Sequence, residues 1–234
     1  MRKYIIMGVQ GCGKGTQAKL LAKRFGLVHI SVGDIFRWHI QSRTKLAARI
    51  GRQTAAGELV ADTIVEEIVK DRMEMHDWNY GFILDGFPRN RRQAEFFLES
   101  YDIDAVIHID VPDEVVLQRV LNRRLCAKCG LDYNLIYHRP ANADVCDVCG
   151  GPLVTRADDT PDAVRSRLRD YHGKTQPILE LFCRKELVVN VAGTADVDAV
   201  HETICQKLGL SDAKLPEAPS APAAGYSPSS KTAR

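Results

Sequence analysis

Short apolar runs alternate with longer segments of helical period along most of this chain. "KYIIMG" (3–8) is a compact apolar run that ends in glycine and reads as a buried strand. A glycine-rich stretch follows it and leads into a helix that stops at Gly26. "LVHI" is a second short strand, and two helical segments come next, over 34–43 and 45–55, the second closing near Gly57. "ADTIVEEIVKDRMEMH" opens a helix at Asp62, with Thr63 and Glu66 at the spacing of a capping box. "GFILDGFPR" is a strand that runs into a sharp turn, and 91–99 is helical. "AVIHIDVP" is so uniformly apolar that it needs cover on both faces. "DEVVLQRVLNRR" predicts a helix that runs straight into a cysteine-rich stretch, with Arg119 and Arg123 four apart on one face. Beyond that stretch, Thr160 as N-cap and Pro161 at the first helical position start another helix, which Pro177 kinks. "ELVVNV" is the last strand and 196–208 the last helix.

Strands that alternate with helices in this way predict an α/β fold, a parallel sheet with helices on both faces. Residues 211–234, rich in Pro, Ala and Ser, show no apolar periodicity and are expected to be a disordered tail. The chain has no internal repeat.

Composition changes this picture little. The 234 residues are 45% hydrophobic and 26% charged, with a formal net charge of +2. That balance gives no global attraction to nucleic acid or to an acidic membrane, so any anion site must come from local clustering of Arg and Lys. No apolar run approaches the roughly 18 residues that span a bilayer. The N-terminal run breaks at Gly8, too short for a signal peptide, and a cytoplasmic location is expected.

The cysteines add more. Four of the seven, Cys126, Cys129, Cys146 and Cys149, form a C-x2-C-x16-C-x2-C pattern. Without an export signal disulfides are disfavoured, and the spacing fits a tetrahedral four-thiolate zinc site. Four thiolates fill the metal's shell and leave no open position, so a structural clip is expected rather than a catalytic ion.

The stretch with the most chemistry is "GVQGCGKGT", residues 8–16, between a strand and a helix. This is the context of a phosphate-binding P-loop. Small residues let backbone N–H groups turn inward as an anion nest, the helix adds its positive end, and Lys14 adds a full charge. Thr16 carries the hydroxyl nearest the usual position. Asp85, at the end of a strand in "LDGFPRN", suits a carboxylate that holds the water shell of a magnesium ion. Arg37, Arg89, Arg119, Arg123, Arg156 and Arg167 are spread through the chain, and the last four bracket the cysteine knot.

With these residues in view the sequence resembles the nucleoside monophosphate kinases, and closely the adenylate kinases of the long-lid, zinc-containing kind. The matching runs include "GVQGCGKGTQAKLLAKRFG", "ISVGDIFR", "GELVADTIV", "GFILDGFPR", "IDVPDEVVLQRVLNRR" and "TRADDTPDAVRSRLRDYH", in the family's order over residues 1–209. The resemblance implies a P-loop core over 1–30, 61–121 and 160–210, an inserted helical monophosphate-binding subdomain over 31–60, and a zinc-binding lid over 122–159. It implies ATP at Gly11, Cys12, Gly13, Lys14, Gly15, Thr16, Arg119, Arg123, Asp132, Tyr133 and Ala195. It implies AMP at Val32, Arg37, Glu58, Leu59, Val60, Gly86, Phe87, Pro88, Arg89, Gln93, Arg156 and Arg167, with Gln93 reading adenine. Lys14, Asp85, Arg89, Arg123, Arg156 and Arg167 are the catalytic set it implies, and Asp158 and Asp159 match a lid-hinge pair.

The expected activity is reversible phosphoryl transfer from Mg·ATP to AMP by a monomeric enzyme, with Mg2+ and a structural Zn2+. ATP and AMP/ADP are its partners, and neither nucleic acid nor a membrane is expected. A CMP, UMP or GMP kinase is the nearest alternative, because Val32 replaces a usual threonine; a non-catalytic nucleotide-binding protein is the other. Gln10 stands where the family commonly has proline and is expected to affect loop stiffness only. Asn134 and Trp38 are further departures, and Trp38 is expected to pack beneath the monophosphate subdomain.

Overall fold

The central strand of the molecule is also its first. In the computed structural model, which describes residues 1–156 and 158–210, β1 (Lys3–Met7) lies between β3 (Phe82–Asp85) and β4 (Ala105–Asp110). β2 (Val28–Ser31) and β8 (Val188–Ala192) form the two edges, giving the order β2-β3-β1-β4-β8 with every pair parallel. The tail expected at 211–234 lies outside the described residues.

The strand period divides the core in two. Ile5 and Ile6 are both buried but point to opposite faces. Ile6, Ile83 and Ile107 pack with Leu21 of α1 (Lys14–Phe25), Val116 of α6 (Asp113–Leu121), Val164 of α7 (Pro161–Asp170) and Ile204 of α9 (Val197–Lys207). Ile5, Leu84 and Val106 pack on the other face with Val69 of α4 (Asp62–Glu74), Phe97 of α5 (Arg91–Ser100) and Phe182 of α8 (Gln176–Cys183). α2 (Val32–Gln41) and α3 (Lys45–Ala56) pack against each other and join this second cluster through Val32, Ile35 and Ile50. A separate antiparallel sheet, order β6-β5-β7, is built from β5 (Arg123–Cys126), β6 (Asp132–Asn134) and β7 (Leu153–Val154). Among the described residues no helix is long and apolar enough to cross a membrane.

Three expectations are corrected. The helix entering the knot ends at Leu121, and Arg123 is the first residue of β5, opposite Asn134 of β6. Cross-strand pairing, with Leu135 N donating to Asn122 O, replaces the helical continuation, so Arg119 and Arg123 do not share a helix face. The capping box at Thr63 and Glu66 does not form. Ala61 is the N-cap, Asp62 accepts from Asn90 and Gln93, and Glu66 binds Arg92. The break expected at Pro177 comes before it, as a π-helical segment over Tyr171–Thr175, and Pro177 sits in the first turn of α8. Proline has no N–H to give to the preceding turn, which therefore widens. Thr160 does cap α7, accepting from Ala163 N at 3.3 Å.

Gly57, after α3, has φ +75°, and a Cβ there would meet the Ala163 carbonyl oxygen at 2.6 Å. Gly51, inside α3, faces open space. Gly57→Ala is expected to lower stability by about 1–3 kcal/mol, from left-handed strain plus the clash. Gly51→Ala is expected to raise it by up to about 1 kcal/mol through helix propensity. Denaturant unfolding of the two variants beside the parent protein checks both signs.

Candidate functional site

The loop between β1 and α1 sits at the carboxyl end of the central strand, where open parallel sheets place their ligands. Gly8, Gly11 and Gly13 all have positive φ, a backbone path that glycine adopts without a side-chain penalty. Gly13 caps α1 with no side chain and no acid stands in the first turn, so the helix presents bare N–H groups and its positive end to the loop. Lys14 Nζ folds back to the Val9 carbonyl at 3.2 Å. Cys12 is buried, which pushes its thiol up and leaves it a packing residue. Thr16 is exposed at the mouth of the loop.

Asp85 ends the neighbouring strand. Burial alone would raise its pKa, but the adjacent His29 and the Lys14 charge hold it below the usual carboxylate range. Its Oδ2 lies 3.5 Å from His29 Nε2, while Oδ1 is buried without a hydrogen-bond partner. A Cβ on Gly15 would stand 3.3 Å from Oδ2. An ionised carboxylate with one unpartnered oxygen, set against a phosphate loop, fits the water shell of a magnesium ion.

The arginines converge from distant elements. Arg89 donates from Nε to the Gly86 carbonyl at 2.9 Å. Burial, and then the nearby Arg167 charge, pull its guanidinium down to about 10. Burial, then Arg123 and Arg37, lower Arg156, whose Nε is buried without a partner. Arg123 binds Asp159, with Nε donating to Oδ2 at 2.8 Å, and this pairing more than reverses the effect of burial. Arg167 binds Asp158 at 2.5 Å, Arg156 binds Asp132 at 2.5 Å, and Arg37 pairs with Asp34. Arg119 donates to the Gly193 carbonyl at 2.9 Å and lies over the Tyr137 ring at 5.3 Å. The first five thus share one cationic floor, and Arg119 reaches the phosphate loop through the Cys12 carbonyl at 3.4 Å.

Other expected residues are placed as follows. Val32 opens α2 and is buried, Val60 is buried just past α3, Leu59 is half-buried and Glu58 exposed. Gly86, Phe87 and Pro88 form the turn that carries Arg89, with a cis Phe87–Pro88 bond. Ala195 is exposed in the turn before α9.

Several of the expected residues have partners within the chain. The Tyr133 ring is 3% exposed inside the small sheet's core, stacked on His138, with its hydroxyl 3.5 Å from Cys146 Sγ. It therefore packs against the cysteine knot. The Gln93 amide is used internally: Nε2 donates to Asp62 Oδ1 at 2.7 Å and Oε1 accepts from Arg89 N at 2.8 Å. Asp132 turns its carboxylate to Arg156 and Lys19. Trp38 lines a cleft of about 240 Å³ with Arg37, Asp132 and Arg156 instead of packing beneath the subdomain. Gln10, His29, Asp34 and Asp62 also join the site's polar contacts, with no local sequence signal for it. Their partners lie across the fold or, for Asp34, in a short i,i+3 contact that ordinary surface pairs share.

The four knot thiols lie within 4.8 Å of one another. Cys126 and Cys149 are 3.4 Å apart and Cys129 and Cys146 3.7 Å, too far for disulfides. Sulfurs on a tetrahedral zinc ion with 2.3 Å bonds stand about 3.8 Å apart, so the cluster fits zinc.

A family model described as adenylate kinase matches residues 6–187, from β1 through the phosphate loop, the cationic floor and the knot to the approach of β8. The chain belongs to the adenylate kinase family. Similar adenylate kinases come from Caldicellulosiruptor saccharolyticus, 41% identical over 89% of this chain and 99% of that one, and Caldicellulosiruptor bescii, 43% identical with the same coverage. An adenylate kinase of Clostridium tetani is 43% identical over 88% of this chain and 97% of its own. The knot thus lies within the stretch that matches the family model.

Apart from Tyr133, the small sheet buries little beyond Leu153 and the thiols, so its order is expected to depend on metal. Cys146→Ser is expected to lose bound zinc and to lower the Tm by several degrees, a cost of about 2 kcal/mol or more. Elemental analysis and thermal unfolding check this.

Proposed function

We propose that this adenylate kinase family member transfers the terminal phosphoryl group of Mg·ATP to AMP, reversibly, giving two ADP. The observation that carries the reading is the enclosed cationic floor, where Arg89 and Arg156 are both pulled down by burial and by neighbouring positive charge. Guanidinium groups crowded in this way gain stability from anions with several oxygens, and a phosphate chain supplies them.

The chemistry needs little else. The monophosphate's second ionisation lies near about 6, so its attacking oxygen carries its charge at neutral pH and no general base is required. The task is alignment of two anions and neutralisation of the transferring group. Lys14 and the loop N–H groups take the ATP phosphates, with Arg119 and Arg123 on the same side. Arg37 and Arg89 take the acceptor phosphate, and Arg156 and Arg167 face the space between. Mg2+, held through water by Asp85, supplies charge neutralisation between the outer phosphates. An adenine ring that takes the place proposed at Gln93 displaces the Asp62 contact. The division we propose is a core of 1–30, 61–121 and 160–210, a monophosphate unit of 31–60, and a zinc lid of 122–159 that excludes water. We propose a monomeric cytoplasmic enzyme. Family membership favours AMP over CMP, UMP or GMP as acceptor.

The test is diphosphate formation from Mg·ATP with each of AMP, CMP, UMP and GMP. Turnover with AMP well above the others is expected, and equal rates with several bases would overturn the AMP assignment. Lys14→Met is expected to lower kcat/KM by about 10²–10³-fold with little change in Tm, because Lys14 makes one loop contact. A loss below about ten-fold would show that Lys14 is not on the transferring phosphates.

A further inference from the structure

Gln10 lies in the phosphate loop, and both ends of its side-chain amide are engaged. Its Oε1 accepts from Arg167 Nη1 at 2.7 Å, and its Nε2 donates to Asp159 Oδ1 at 3.2 Å. Asp159 is 4% exposed and also takes Nε and Nη2 of Arg123. Arg167 is further fixed by Asp158 and by the Thr54 carbonyl. One neutral side chain on the loop therefore ties down two guanidinium groups, Arg167 directly and Arg123 through Asp159.

The chemistry of an amide suits this position. It accepts from a cation and donates to a carboxylate at once, without adding charge. A glutamate would repel Asp159, and a proline or alanine would make neither bond. Hydrogen bonds to charged partners are the stronger kind, and the Arg123–Asp159 and Arg167–Asp158 pairs are largely shielded from water. A solvated surface contact would have neither property.

We infer that Gln10 is a positioning residue: its amide registers Arg167, and through Asp159 also Arg123, against the phosphate loop. Both cations then stand in place before the transferring phosphoryl group arrives. This rests on the phosphotransfer reading above. The effect is on the transfer step rather than on ATP affinity, which the loop N–H groups and Lys14 supply without Gln10.

The experiment compares the parent protein with Gln10→Leu and Gln10→Glu. Four quantities are read: Tm, Kd for Mg·ATP by calorimetry, kcat with AMP, and amide hydrogen exchange over 158–167 without nucleotide. Gln10→Leu is expected to lower kcat about ten-fold, the scale of one hydrogen bond to a charged group. Its Mg·ATP Kd should stay within about two-fold of the parent's, since the loop contacts are intact, and exchange over 158–167 should quicken. Gln10→Glu keeps the acceptor for Arg167 but sets a carboxylate against Asp159, and should lose at least as much. If Gln10→Leu does not fold, Gln10→Glu decides alone. A fall in Tm with unchanged kcat would reduce Gln10 to a structural contact and overturn the inference. If the parent itself transfers nothing to any monophosphate, the function reading fails. Exchange then decides Gln10 separately, and an unchanged rate over 158–167 overturns it.

Discussion

Like charges held close together in a partly dry cleft are the constraint around which this molecule is arranged. Arg167 stands near enough to Arg89, and Arg123 and Arg37 near enough to Arg156, to disfavour the positive charge there. Such a group is tolerable only if rigid elements hold it and carboxylates stand between its members. The fold supplies both. Asp34, Asp132, Asp158 and Asp159 each take one arginine, and the arginines come from a strand-end turn, two helices, the small sheet and the segment that follows it. The phosphate loop adds its positive helix end on the same side. The result is a concave positive surface in a chain whose net charge is only +2.

The knot serves that surface from outside it. Four cysteines would fill a metal's shell and leave no room for a substrate there, and the sheet beside them is too small to hold itself together by burial. The knot lies in the chain between Arg123 of β5 and Arg156, just past β7. The cleft is lined from both sides, by Trp38 and Arg37 of α2 and by Leu125 and Asp132 of the small sheet.

The parts legible in the sequence are those whose chemistry is contiguous. A strand, three glycines, Lys14 and a helix follow one another within about twenty residues, and the four cysteines carry their spacing with them. The strand–helix alternation gave the parallel sheet, and the Thr160–Pro161 start of α7 was readable because caps are local. What was missed depends on partners far along the chain. Asp62 looked like the opening of a capped helix, but Asn90 and Gln93 claim its carboxylate. Arg123 looked helical until β6 offered it a ladder. Tyr133 carries no local sign that the thiol of Cys146 and the ring of His138 hold it in the small sheet's interior. Gln10 read as a substitute for a loop proline, since nothing near it in sequence shows that its amide meets residues about 150 positions away.

The strand order has a consequence for how the chain comes to be folded. β1 leads the sequence and lies in the middle of the sheet, yet its neighbours are β3, about 80 residues on, and β4, about 100 on. The edge beside β4 closes only with β8. A chain emerging from the ribosome must therefore carry its central apolar strand unpaired until the third strand is made, and holds an open edge until nearly the last helix. Such long loops are closed late and slowly. In that interval the glycine loop has only the first helix beside it to set its shape.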